Sequence, residues 1–266
     1  NTSHTHSAPV LDGALADVYP LEDQHSEQIK QYTATLEKTI VETVARSLAE
    51  MAPATLWASE GKTTLAVNRR NNNQSNVPQL RAKGQLRGPS DYDVPVLAVR
   101  APEGELRAMV FGYACHATVL DTYGYSGDYP GFAQIALEKN RPGVQAMFFQ
   151  GCGADQNPLP RRSVELAERY GAMLAEAVDQ TLNAVMRPVE PRLQTEFEFI
   201  TLDFGKTRSR EELAATAEGT DFQARGAKRL LAELDAGGTF ATQSRYPVQV
   251  WRLGADQLWI ALGGEV

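Results

Sequence analysis

The chain has 266 residues, 42% of them hydrophobic and 22% charged, with a formal net charge of -7. That composition suits a folded globular protein rather than a disordered one, and the acidic balance argues against nucleic acid as a partner, because little phosphate charge could be neutralised. No run of about 18 apolar residues occurs, so no transmembrane segment is expected, while a lipid substrate, met in contact with a membrane surface, stays open.

The chain opens at Asn1-Thr2-Ser3-His4 with no Met and no basic or apolar leader, and it stops at Gly263-Gly264-Glu265-Val266 directly after a strand-like apolar run. Both ends read as those of a fragment or a processed form, so the lack of a targeting segment says nothing about location. From Glu22 to Met51, residues Ile29, Tyr32, Leu36, Ile40, Val44 and Leu48 recur every three or four positions, which predicts a long helix ended by Pro53. Thr55 to Thr63 and Thr64 to Val67 read as extended. The polar stretch from Asn68 through Pro89 reads as a long loop, a length that in a compact domain is often functional or disordered.

Val94–Ala101 and Leu106–Ala114 flank the turn Pro102-Glu103-Gly104-Glu105 and predict a hairpin whose second strand is buried and ends at Cys115-His116. Tyr129–Asn140 predicts a short helix and Val144–Gln150 a buried strand that runs into the loop Gly151–Pro158. Ser163–Val185 is an amphipathic helix by its pattern, and Leu193–Phe204 alternates like a strand. Arg210–Leu234 reads as helix weakened by Gly219 and Gly226, before two last strands, Val248–Leu253 and Gln257–Leu262. Strands and helices mix along the whole chain with no repeat and no linker. The expected fold is therefore α/β, a mixed β-sheet core flanked by helices, in a single domain over residues 1–266.

The two cysteines, Cys115 and Cys152, form no metal-binding pair of CxxC type; they are buried thiols or one bridge. Four histidines occur, His4, His6, His25 and His116. In an extended strand His4 and His6 would point to one side, where two imidazoles can share a metal or divide metal and substrate between them; two solvated histidines at a polar strand end would look the same. His116 ends a buried strand, with Asp121 and Asp128 nearby in sequence as partners for a ligating imidazole or as ordinary loop carboxylates. Glu265 closes a late strand, either as a surface residue or as a third ligand. A catalytic zinc needs three or four N/O ligands with one position left for water. Arg69 offers a fixed cation with planar donors, or merely a solvated loop charge. Asp155 and Asn157 line a pocket or simply form a turn.

Taken together, the motifs are more specific than any one of them. Ser3-His4-Thr5-His6-Ser7-Ala8-Pro9, Asn68-Arg69, Ala114-Cys115-His116 with Ser126-Gly127-Asp128, Gly153-Ala154-Asp155-Gln156-Asn157-Pro158 and Gly264-Glu265 follow one another over nearly the whole chain. In that order they resemble the catalytic domain of the neutral/alkaline (non-lysosomal) ceramidase family. The resemblance implies one catalytic Zn2+ held by His4, His116 and Glu265, with His6 and Arg69 contacting the substrate amide and Asn157 standing at a catalytic position. It implies amide hydrolysis of N-acylsphingosine or a related N-acyl compound, a lipid or small-molecule substrate, and a periplasmic or secreted location. Three positions depart from the family pattern. A tyrosine ligand would fall beyond Val266, Asn157 stands where the family has Ser, and Ala8 stands where it has Gly. A zinc esterase or peptidase on a non-lipid substrate, and a catalytically inactive binding domain of the same fold, are the competing expectations.

Overall fold

The structure is a computed structural model and describes residues 1–264 apart from Ala16. Contacts divide the chain into two compact units, a subdivision that no linker in the sequence marks: Asn1–Ala8, Ala52–Glu196 and Gln249–Val266 form the first, Pro9–Met51 and Phe197–Val248 the second.

The elements in chain order are α1 (Asp23–Ala49), β1 (Thr55–Lys62), β2 (Ala66–Asn68), α2 (Val77–Ala82), β3 (Asp93–Arg100), β4 (Leu106–Tyr113), α3 (Asp128–Asn140), β5 (Gln145–Gln150), β6 (Gln156–Pro158), α4 (Val164–Asn183), β7 (Arg187–Val189), β8 (Leu193–Asp203), α5 (Arg210–Ala217), α6 (Phe222–Asp235), β9 (Gln243–Leu253) and β10 (Gln257–Leu262). The α/β class expected from the sequence is found. A five-stranded mixed sheet runs in the order β5-β4-β3-β1-β7. Only β4 and β5 pair parallel; β3 pairs antiparallel with both β1 and β4. A parallel pair needs a crossover, and α3 supplies it between β4 and β5. The helices α3 and α4 pack on each other and against this sheet, enclosing a core that includes Met109, Phe111, Tyr113, Tyr129, Leu137, Leu174 and Val178. α4 begins at Ser163, whose hydroxyl accepts from the Leu166 amide and caps the helix.

Three local expectations need correction. The stretch from Asn68 to Pro89 is not all loop, because it contains a short 3-10 turn at Gln74–Asn76 and the helix α2, with Pro78 in its first turn, where a missing N–H costs nothing. The region from Arg210 to Leu234 is two helices broken around Gly219, while Gly226 sits inside α6. Cys115 is buried and Cys152 exposed, and both are free thiols. In the second unit α1 has the helical periodicity expected of it but no buried residue, with Ile40, Val44 and Leu48 all exposed. Among the described residues no helix is long and apolar enough to cross a membrane.

What positions the site is the C-terminal edge of the parallel pair, where ligands collect in α/β sheets. β4 ends three residues before His116, and β5 ends at Gln150, where the loop carrying Gly153 turns back. That loop lies against the end of β4 so closely that a β-carbon on Gly153 would stand 2.7 Å from the Cys115 amide nitrogen and 2.9 Å from the Ala114 carbonyl carbon. Backbone atoms cannot rotate out of the way. Gly153→Ala should therefore cost about 1–3 kcal/mol, the usual penalty for overpacking, read as a lower urea midpoint at unchanged m-value.

Candidate active site

Three of the four histidines converge in the first unit. The His4 and His116 rings meet edge to face with centroids 4.8 Å apart, and the His4 and His6 rings lie 5.3 Å apart, tilted by 37°. The first two did not come together in the way the sequence suggested. Residues 1–9 form no strand, and His4 adopts a left-handed backbone, φ 59°. Tertiary hydrogen bonds hold the segment instead. Asn1 donates to the Phe148 carbonyl and accepts from the Gln150 amide, both on β5. The Thr5 hydroxyl donates to the Ser126 carbonyl, and the Ser126 amide donates to the Ser7 carbonyl. The H-T-H segment is thereby laid across the end of the parallel pair and against the Ser126-Gly127-Asp128 turn.

His116 is 3% exposed, and Gln156 holds it at two points. The Gln156 carbonyl accepts from the His116 amide at 3.1 Å and meets His116 Nδ1 at 2.9 Å. A carbonyl only accepts, so Nδ1 carries the proton. The Gln156 side chain donates to the Ala114 carbonyl and accepts from the Asp91 amide. Sequence reading passed over Gln156 because its decisive group is a backbone carbonyl, which leaves no trace in residue type.

The carboxylates of the following loop have other partners. Asp128, wholly buried, accepts from the amides of Val119, Leu120 and Tyr129. Burial raises its pKa, and those three amides oppose the rise. Asp121 pairs with Arg162 at 3.1 Å.

β2 and β6 form an antiparallel ribbon in which Asn68 faces Gln156 and Val67 faces Asn157. The Arg69 amide donates to the Asp155 carbonyl, and the Asn68 side chain donates to the Asp155 carboxylate. Arg69 and Asn157 are thus carried on the same ribbon as the residue that orients His116. Arg69 Nε and Asn157 Oδ1 are both buried without a hydrogen-bond partner, the kind of orphan that native folds keep rare.

Arg161 and Arg162 escaped the sequence reading. Arg161 donates to the Thr118 hydroxyl and to Gln74, and the Arg162 amide donates to the Val119 carbonyl. Both are therefore tied, from the segment between β6 and α4, to the loop that follows His116. Arg162 has a left-handed backbone, φ 91°, as do His4 and Asp128, φ 55°. Of the four non-glycine residues with positive φ among the described residues, three lie at this site, the concentration of backbone strain that marks functional regions. His6 is held below the ordinary histidine pKa by partial burial, then by repulsion from His4, Arg162, Arg161 and His116.

For a metal, the donor set is suitable as far as it is described. His4 and His116 bring two imidazoles together edge to face, and the proton on His116 Nδ1 is tied to a carbonyl, as in most zinc-ligating histidines. Among the described residues no three His, Cys, Asp or Glu side chains are gathered closely enough to hold an ion. Glu265, the third ligand implied by the resemblance, lies outside the described residues.

No protein-family description and no curated protein matches the chain. Among solved structures it is similar to neutral ceramidase from Pseudomonas aeruginosa, with a TM-score of 0.58 at 18% identity over 88% of this chain and 43% of that one. It is similar also to a ceramidase complexed with C2, again at a TM-score of 0.58, with 16% identity over 88% of this chain and 44% of the other. The chain spans less than half the length of either structure. At such identities the likeness is one of fold, and it is the fold that the motif order suggested.

Proposed function

We propose that the chain is a zinc-dependent hydrolase of amide bonds, acting on N-acylsphingosine or a related N-acyl substrate. The observation that supports this reading best is the convergence of His4, His6 and His116 at the C-terminal edge of β4 and β5, on a fold shared with ceramidases. His4, His116 and Glu265 would hold the ion. When bound, zinc supplies Lewis acidity that activates water at neutral pH and polarises a carbonyl. The Gln156 carbonyl keeps the proton on His116 Nδ1 and so presents Nε2 to the site. His6, kept neutral by its surroundings, donates a hydrogen bond to the oxygen of the reacting carbonyl, where charge develops. Arg69 orients the acyl carbonyl with its planar donors. Asn157, 5% exposed and without an ionisable group, supports the wall of the site rather than attacking substrate. A periplasmic or secreted location is part of the same proposal and is supported only by the resemblance.

The test is hydrolysis by the zinc-loaded 266-residue chain of N-octanoylsphingosine and, in parallel, of an octanoyl ester. Release of sphingosine that stops on chelation supports the reading, and His6→Ala should then lower kcat by about 100-fold with zinc content unchanged, the effect of losing one oxyanion donor. Cleavage of the ester alone would move the assignment to an esterase. A folded, zinc-loaded protein that cleaves neither would leave the binding-domain reading, which Asn157 in the place of Ser favours.

A further inference from the structure

The chain carries a net charge of -7, yet around the three imidazoles it gathers three arginines. Arg161 and Arg162 are tied to the loop that follows His116, through Thr118, Val119 and Asp121. Arg69 is on the ribbon that holds Gln156. Of these, only Arg162 has a carboxylate within ion-pair distance among the described residues, Asp121, which is itself about half exposed. Arg161 bonds neutral groups alone, Thr118 and Gln74, and spends only two of its guanidinium donors on them. Among the described residues the other carboxylates nearby are committed, Asp128 to three backbone amides and Asp155 to Asn68. The cations are therefore held together at a cost. Burial and then repulsion from Arg162 and Arg69 lower the pKa of Arg161, against the pull of Asp121. A fold that holds these like charges near one another, with donors unused and one arginine in a left-handed backbone, has built an electropositive cluster, and such a cluster is relieved by an anion.

We propose that the substrate is an N-acyl compound bearing an anionic group, carboxylate or phosphate, which Arg161 binds and Arg162 attracts beside the scissile amide. This rests on the hydrolase reading and narrows its substrate class to the related N-acyl compounds, with the neutral N-acylsphingosine a poorer fit. Arginine suits the task because its planar donors match either oxyanion in a bidentate fashion. Asp121 then acts as a brake, since it neutralises part of the charge of Arg162.

The experiment measures binding to the 266-residue chain, freed of metal by dialysis, by titration calorimetry at low salt in a non-anionic buffer. Three probes are used: N-octanoylglycine, its neutral methyl ester, and octyl phosphate. The anionic probes should bind at least about tenfold more tightly than the ester, the worth of one charge-assisted hydrogen bond, and the tighter of the two identifies the anion. Arg161→Gln should remove that preference. Asp121→Asn should strengthen the anionic probes several-fold and leave the ester unchanged, a gain that no loss of structure could produce. Equal binding of ester and anions, or a preference unaffected by both substitutions, would overturn the proposal. Because no turnover is read, these outcomes are separate from those of the hydrolase test. Release of sphingosine without any anion preference would sink this inference alone, and anion preference in a zinc-loaded protein that hydrolyses neither N-octanoylsphingosine nor N-octanoylglycine would sink the other.

Discussion

Replacing His116 with alanine should reduce zinc from near one ion per chain to a small fraction of that, measured by mass spectrometry on protein purified without chelators. The proposed ligand is buried, and its ring is held by the Gln156 carbonyl on the Nδ1 side. Loss of a partner one step removed from a metal commonly costs 10–100-fold in affinity, so loss of a ligand should cost at least about 100-fold. His4→Ala should have a comparable effect. His6→Ala should leave the metal in place, which separates the two imidazoles only 5.3 Å apart into different roles. Zinc retained in both His4→Ala and His116→Ala would place the ion elsewhere or nowhere.

The largest expected effect on stability is that of Asp128→Ala. The carboxylate is fully buried and is the acceptor for the Val119, Leu120 and Tyr129 amides at 3.2, 2.8 and 2.7 Å. Truncation strands three N–H groups in the interior, each worth about 1–3 kcal/mol if left unpaired. It also puts alanine at φ 55°, where aspartate and asparagine are tolerated and alanine is not. Allowing for water entering the gap, the loss should be about 3–5 kcal/mol by urea denaturation, a large share of the roughly 5–15 kcal/mol that holds a domain together. Asp128→Asn keeps an acceptor and accepts the backbone, so it should cost markedly less. The loop His116–Asp121 should be the first to lose hydrogen-exchange protection, because two of the three amides belong to it. A neutral result for Asp128→Ala would mean that the loop is held by other contacts.

Much of this fold is legible in the sequence because its signals are local. The hairpin of β3 and β4 follows from apolar runs around Pro102-Glu103-Gly104-Glu105, and α4 from its apolar period behind Ser163. β8 shows the limit of the same logic, since its eleven residues alternate as a strand should although all of them are exposed. Alternation predicts conformation there without predicting burial. The division into two units is equally silent, because two of the passages between them, at Glu196/Phe197 and Val248/Gln249, fall inside β8 and β9 rather than in a linker.

For the site, the residue types that carry scarce chemistry stood out by themselves. His4, His6 and His116 are rare, set in short motifs, and brought together as the motif order implied. Glu265 lies outside the described residues, and its place in the set rests on the resemblance. What only the tertiary structure decided is how the groups are held and what surrounds them. Gln156 orients His116 through a carbonyl that any residue would have. Asp128 works on backbone amides rather than on an imidazole, and Asn1 and Thr5 dock the H-T-H segment without a strand. Arg161 and Arg162 read as ordinary loop charges until Thr118, Val119 and Asp121 are seen to hold them beside the histidines. Periodicity and motif order are properties of neighbours along the chain, whereas hydrogen bonds to backbone and the sum of charges in a pocket belong to residues brought close only by folding.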